Sequence, residues 1–136
     1  MKQIEIKAAI ENLIDTFLYA GKVSIELRKK GLIKEIKEDN TPVSNGDLEV
    51  NRILTEKINN LTPQIPIVSE ETSHNKSKKD LKNFWLIDPI DGTYDYINDL
   101  DEFTLNAGLI INNRAVAGII YAPAKNRLFY SYEKGC

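Results

Sequence analysis

In the stretch "FWLIDPIDGTYDYINDL", Phe84 to Leu100, three carboxylates, Asp88, Asp91 and Asp95, follow an apolar run that reads as a buried strand. Asp88 and Asp91 stand three apart across a turn containing Pro89, so a tight turn lets both side chains converge. Pro89 removes one backbone donor and fixes its φ, and Gly92 allows close backbone approach. Thr93 is placed to cap the helix that follows, leaving the N–H groups of Gly92 and Thr93 as a cradle for an anion. Two carboxylates without a basic neighbour repel one another. Oxygen-only ligands clustered in this way suit Mg²⁺, which takes a few carboxylates, keeps waters and completes its shell with substrate phosphate. Taken alone, the same stretch also fits a plainer reading, in which the aspartates cap a turn and Thr93 caps a helix.

Glu70 and Glu71 end a second short apolar run, "IPIVSEE", and also lack a basic neighbour in sequence. Acids at two strand ends meet only if the strands lie side by side, the arrangement a shared metal needs. Glu70 is expected at that meeting point and Glu71 in the solvated loop. Upstream, "KEDNTPVSNGD" offers Lys37, Asp39 and Asp47. By spacing alone Asp47 is equally a first-turn helix acid favoured by the helix dipole.

"KEDNTPVSNGD", "VSEE" and "DPIDGT", taken together, resemble in order and spacing the inositol monophosphatase superfamily of Mg²⁺-dependent, lithium-sensitive phosphatases. Asp95-Tyr96, Ile97-Asn98 and Glu102-Phe103-Thr104-Leu105-Asn106 look most like its bacterial 3′(2′),5′-bisphosphate nucleotidase branch, the CysQ type. The resemblance implies that Glu70, Asp88, Asp91 and the backbone carbonyl of Ile90 bind Mg²⁺, with two or more ions in the family. Asp47, Thr93 and Glu70 are the implied catalytic residues, Asp47 helping to hold or polarise an attacking water and Thr93 orienting it. Asp91, Gly92 and Thr93 are the implied site for the scissile phosphate. The implied partner is a small phosphorylated substrate, 3′-phosphoadenosine 5′-phosphate or inositol 1-phosphate. It would be hydrolysed by direct in-line attack of metal-activated water, without a phosphoenzyme.

Three departures from the family pattern stand out. Tyr94 and Tyr96 occupy places where the branch often has a basic residue and phenylalanine. Gly46 replaces the usual alanine before Asp47, which is expected to loosen that helix start. Family members run to roughly twice this length, and their second half supplies a further metal-binding aspartate in a W-D-x-A motif. Without that half, a weakly active or non-catalytic remnant is the alternative expectation, with exposed apolar surface and homodimerisation to follow.

Positioning these residues falls to an ordered set of elements. Ile10, Leu13, Ile14, Phe17 and Leu18 recur at helical spacing, so residues 3–30 read as a long amphipathic helix with Gly31 as its stop. Leu32–Lys37 alternates and reads as a strand, "DNTPVSNGD" as turn, and Ser44 with Asp47 as the capped start of a helix at 45–60. "IPIVSEE" and Phe84–Ile87 read as buried strands, the second followed by an acidic turn and a short helix around 93–98. "TSHNKSKKDLKN" reads as a polar surface loop in which His74 is exposed. "FTLNAGLIIN", "RAVAGIIYA" and "NRLFYSYE" alternate as three strands joined by the turns "NNR" and "PAKN". Trp85 is expected in the core, and Tyr121, Tyr130 and Tyr132 in packing or an interface.

Helices first and an antiparallel meander afterwards predict an α+β domain: helices layered on a mainly antiparallel sheet, the first half of an αβαβα sugar-phosphatase fold. With 136 residues and 42% hydrophobic content, the chain suits one compact domain, 1–136, with a C-terminal domain absent. Its 18 basic and 20 acidic residues leave a net charge of −2, which argues against nucleic-acid or anionic-membrane binding. The single cysteine, Cys136, excludes an intrachain disulfide. No apolar run approaches the roughly 20 residues of a membrane span. A soluble, cytoplasmic protein is expected.

Overall fold

The computed structural model describes residues 2–71 and 81–133. Helix α1, Gln3–Lys30, buries Ile6, Ala9, Ile10, Leu13, Phe17 and Ala20, a single stripe set by the 3.6-residue period. Gly31, at φ +96°, ends it. Helix α2, Asn45–Leu61, buries Val50, Leu54 and Ile58, and it packs along α1.

Both helices lie on one five-stranded sheet. Its strands are β3 (Ile67–Ser69), β4 (Phe84–Asp91), β5 (Thr104–Ile111), β6 (Arg114–Ala122) and β7 (Arg127–Tyr132), paired in that order. The β3–β4 pairing is parallel and the other three are antiparallel. The expected layering of helices on a mainly antiparallel sheet is therefore the observed one. Leu105, Ala107 and Leu109 on β5 alternate into a core that also holds Trp85, Ile87, Ile119 and Tyr121. Trp85 is wholly buried, and its indole N–H donates to Thr62 Oγ1 at 3.0 Å. Asn112 and Asn113, both at positive φ, close the tight β5–β6 turn in the left-handed backbone that such hairpins demand.

Three sequence expectations need correction. The strand expected over Leu32–Lys37 is only β1, Lys34–Ile36, and it does not join the main sheet. It pairs antiparallel with β2, Pro42–Ser44, inside a segment expected to be turn. Asn40, at φ +68°, together with the Lys37 N–H to Thr41 carbonyl bond, folds this small hairpin. The strand expected to stop at Ile87 runs on to Asp91, so the acidic turn is strand backbone carrying a bulge. Glu71, expected to be solvated, is buried at its side chain, 7% exposed, because Lys37 crosses over to meet it at 3.6 Å. His74 and Cys136 lie outside the described residues.

Candidate active site

In a regular strand, residues three apart point to opposite faces. Asp88 faces Asn106 and Asp91 faces Thr104, so three residues on β4 span two on β5. The one extra residue is a β-bulge, and it returns Asp91 to the same face as Asp88. Pro89 sits inside this bulge, where its missing N–H breaks no ladder bond. The "DPID" spacing thus brings two carboxylates together through a strand irregularity rather than through a turn. Gly92 follows at φ +93°, and a Cβ there would lie 2.6 Å from the Glu102 carbonyl oxygen, so only glycine fits. Its left-handed backbone swings the chain into α3, Thr93–Ile97, whose N-terminus has no side-chain cap.

Asp47 links this corner to α2. Its carboxylate is fully buried. Oδ2 accepts from the Ser44 backbone N–H at 2.9 Å and from the Ser44 hydroxyl, while Ser44 Oγ accepts from the Asp47 N–H, completing a capping box. Oδ1 is left to accept from Thr93 Oγ1 at 2.8 Å. One buried carboxylate therefore anchors the first turn of α2 and fixes a hydroxyl at the first turn of α3. The Thr93 hydroxyl also lies 3.2 Å from the carbonyl oxygen of Ile90.

The parallel β3–β4 pairing carries Glu70 to the same corner, where its N–H donates to the Ile87 carbonyl at 3.2 Å. Burial raises the Asp88 pKa to about 6, helped in turn by the negative charges of Asp91, Glu70, Glu71 and Asp47. Burial also raises the Glu71 pKa, against the pull of Lys37. The charges of Glu70, Glu71, Asp91 and Asp47 all act on Asp88; Glu70 and Asp91 are exposed and Asp88 is half-buried. Among the described residues, no three or more carboxylate, imidazole or thiol groups close to metal-ligand geometry. The corner is a set of neighbouring acids rather than a formed chelate.

The donor chemistry nevertheless fits a hard divalent cation. Every candidate ligand is an oxygen, namely the carboxylates of Glu70, Asp88 and Asp91 and the Ile90 carbonyl, and the negative charges of Asp91, Glu70, Glu71 and Asp47 add to burial in raising the Asp88 pKa to about 6. Two contacts at this corner were not readable from the sequence. Glu71 was readable as half of an acidic pair, whereas Lys37 and Glu71 are far apart in the chain and only folding joins them. Ser44 was legible as a cap, but not as the group that holds Asp47 Oδ2.

The inositol monophosphatase family model matches residues 6–136. The 3′(2′),5′-bisphosphate nucleotidase CysQ of Haemophilus influenzae is 40% identical over 114 residues, covering 82% of this chain and 42% of that protein. The protein of the same name from Aggregatibacter actinomycetemcomitans is 36% identical over 126 residues, or 91% of this chain and 47% of that one. Among solved structures, the Thermotoga maritima IMPase superposes with a TM-score of 0.79 at 26% identity, covering 91% of this chain and 48% of that one. The chain spans about half the length of the relatives it matches.

Proposed function

The chain belongs to the inositol monophosphatase family, and on that premise we propose that it forms the metal- and phosphate-binding half of a Mg²⁺-dependent phosphomonoester hydrolase of the 3′(2′),5′-bisphosphate nucleotidase type, acting on the 3′-phosphate of 3′-phosphoadenosine 5′-phosphate. The observation that carries this reading is the 2.8 Å bond from Thr93 to buried Asp47, beside the bulge that pairs Asp88 with Asp91.

Glu70, Asp88, Asp91 and the Ile90 carbonyl would hold Mg²⁺, two or more ions by family likeness. When bound, the metal lowers the pKa of water and offsets the charge of the phosphate oxygens. The rest of the chemistry lies in the protein's own groups. Because Thr93 Oγ1 donates to Asp47 Oδ1, its lone pairs are left to accept from a water O–H. The line from water through Thr93 to Asp47 orients the nucleophile and gives its proton a path to Oδ1. The uncapped N-terminus of α3, at Gly92 and Thr93, offers backbone donors to the scissile phosphate.

The test is phosphate release from 3′-phosphoadenosine 5′-phosphate by the purified chain with Mg²⁺. Release is expected, and Asp88→Asn should abolish it; a wild-type rate no higher than that of the variant defeats the reading for this polypeptide. The half-length coverage of the relatives favours a second reading, in which this segment binds cation and phosphate but turns nothing over alone. Calorimetric Mg²⁺ binding without phosphate release would select it.

A further inference from the structure

Two features with no role in the proposed chemistry meet inside the fold, Gly46 and Tyr96. Tyr96 is fully buried, and its hydroxyl donates at 2.7 Å to the carbonyl of Ser24, itself wholly buried on α1. A Cβ built on Gly46 would fall 2.1 Å from that hydroxyl oxygen and 2.7 Å from the ring carbons Cε2 and Cζ. No side chain larger than hydrogen fits at position 46 while the ring stays in place. Across the ring lie Phe103, with centroids 4.9 Å apart, and the Arg28 guanidinium, 5.7 Å from the Tyr96 centroid. Arg28 in turn donates to the Leu100 carbonyl at 2.6 Å and pairs with Asp99 and Asp101, each at 3.3 Å.

We propose that Tyr96 is a positioning residue, wedged between Gly46 of α2 and Ser24 of α1, that sets how the Thr93 hydroxyl meets Asp47. The inference rests on the reading of Asp47 and Thr93 as the water-orienting pair. Gly46 immediately precedes Asp47, and Tyr96 sits one helical turn after Thr93, so the Gly46–Tyr96 contact joins the two helix starts that carry the partners of the 2.8 Å bond. Helix α3 has only five residues, too few to be stable or to hold a direction by itself. Its orientation must come from tertiary contacts, and Tyr96 is its only fully buried side chain. A glycine at the second position of α2 is otherwise unfavourable for a helix. The contact with the ring supplies its reason.

The experiment compares wild type, Gly46→Ala, Tyr96→Phe and the double variant by calorimetric Tm and by ¹H–¹⁵N spectra. Gly46→Ala is expected to lower Tm by about 4–10 °C, as overpacking in a well-filled site does, and to move the amide resonances of Asp47 and Thr93. Tyr96→Phe removes the atom in the 2.1 Å conflict and leaves the 2.7 Å ring contacts. The double variant should therefore regain part of the Tm, and both amides should move back toward their wild-type positions. If Gly46→Ala does not fold, a double variant that folds is the expected rescue, and one that does not fold overturns the proposal. Losses that simply add, or Asp47 and Thr93 amides unmoved by Gly46→Ala, overturn it as well. Addition of Mg²⁺ to the wild-type sample is a separate arm. Resonances indifferent to Mg²⁺ would sink the phosphatase reading while the four-variant comparison still reports on the wedge.

Discussion

Ionising Asp88 opposes folding, because its carboxylate is half-buried among other acids. Its folded pKa, about 6, lies above the ordinary value of 3.8, so between those two pH values the folded state binds more protons than the unfolded. Stability contributed at this position is therefore present below pH 3.8, falls as pH rises through the window, and is fully lost above about 6. Asp88→Asn in EDTA should raise Tm at pH 7.5 by more than at pH 4.5, as differential scanning calorimetry would show. The same proton competes with a cation, so calorimetric Mg²⁺ affinity should fall steeply as pH drops below about 6; an affinity flat from pH 7.5 to 5 would contradict the assigned ligand. Thr93 is a different case. Thr93→Val keeps the shape and removes the hydroxyl held by Asp47, and it should reduce phosphate release by about 100-fold or more with Mg²⁺ affinity preserved.

The start of α2 shows how one local sequence choice serves two purposes. Ser44 caps the helix and also gives its N–H and hydroxyl to Asp47. Ser44→Ala is expected to cost about 1–2 kcal/mol in urea denaturation and to release Asp47 from its fixed orientation, so the Thr93 bond should loosen with it. The capping pattern was legible in the sequence, as were α1, α2 and the three antiparallel strands, because their periods of 3.6 and 2 are written locally. The β1–β2 hairpin was not legible. β1 falls inside the alternating run Leu32–Lys37, but β2 has three residues within a turn-rich segment, and only the pairing of Lys34 with Ser44 and Ile36 with Pro42 defines it. The bulge at Pro89 escaped for a related reason: proline reads as a turn until the partner strand shows that pairing resumes at Asp91.

Across the whole molecule, the helices cover one face of the sheet. The opposite face presents Ile120, 45% exposed, beside Phe129, 60% exposed, with the paired Gly108 and Gly118 making a shallow groove of about 430 Å³ next to them. Apolar surface of this kind favours association, and a net charge of −2 provides little repulsion against it. Sedimentation velocity should show concentration-dependent self-association that Phe129→Ser weakens; a monomer at every concentration would refute this. Among the described residues, no helix is long and apolar enough to cross a membrane.

The sequence by itself determined the two long helices, the alternating strands, the burial of Trp85 and which acids stand at strand ends, because each depends on residues close in the chain. It also made Gly46 and Tyr96 visible as two separate oddities. Only the tertiary structure decided that these two are one contact, that Lys37 reaches Glu71, and that Asp88 and Asp91 share a face. Such facts depend on strand register and on side chains meeting from distant segments. A linear chain encodes them only through the packing of the whole domain.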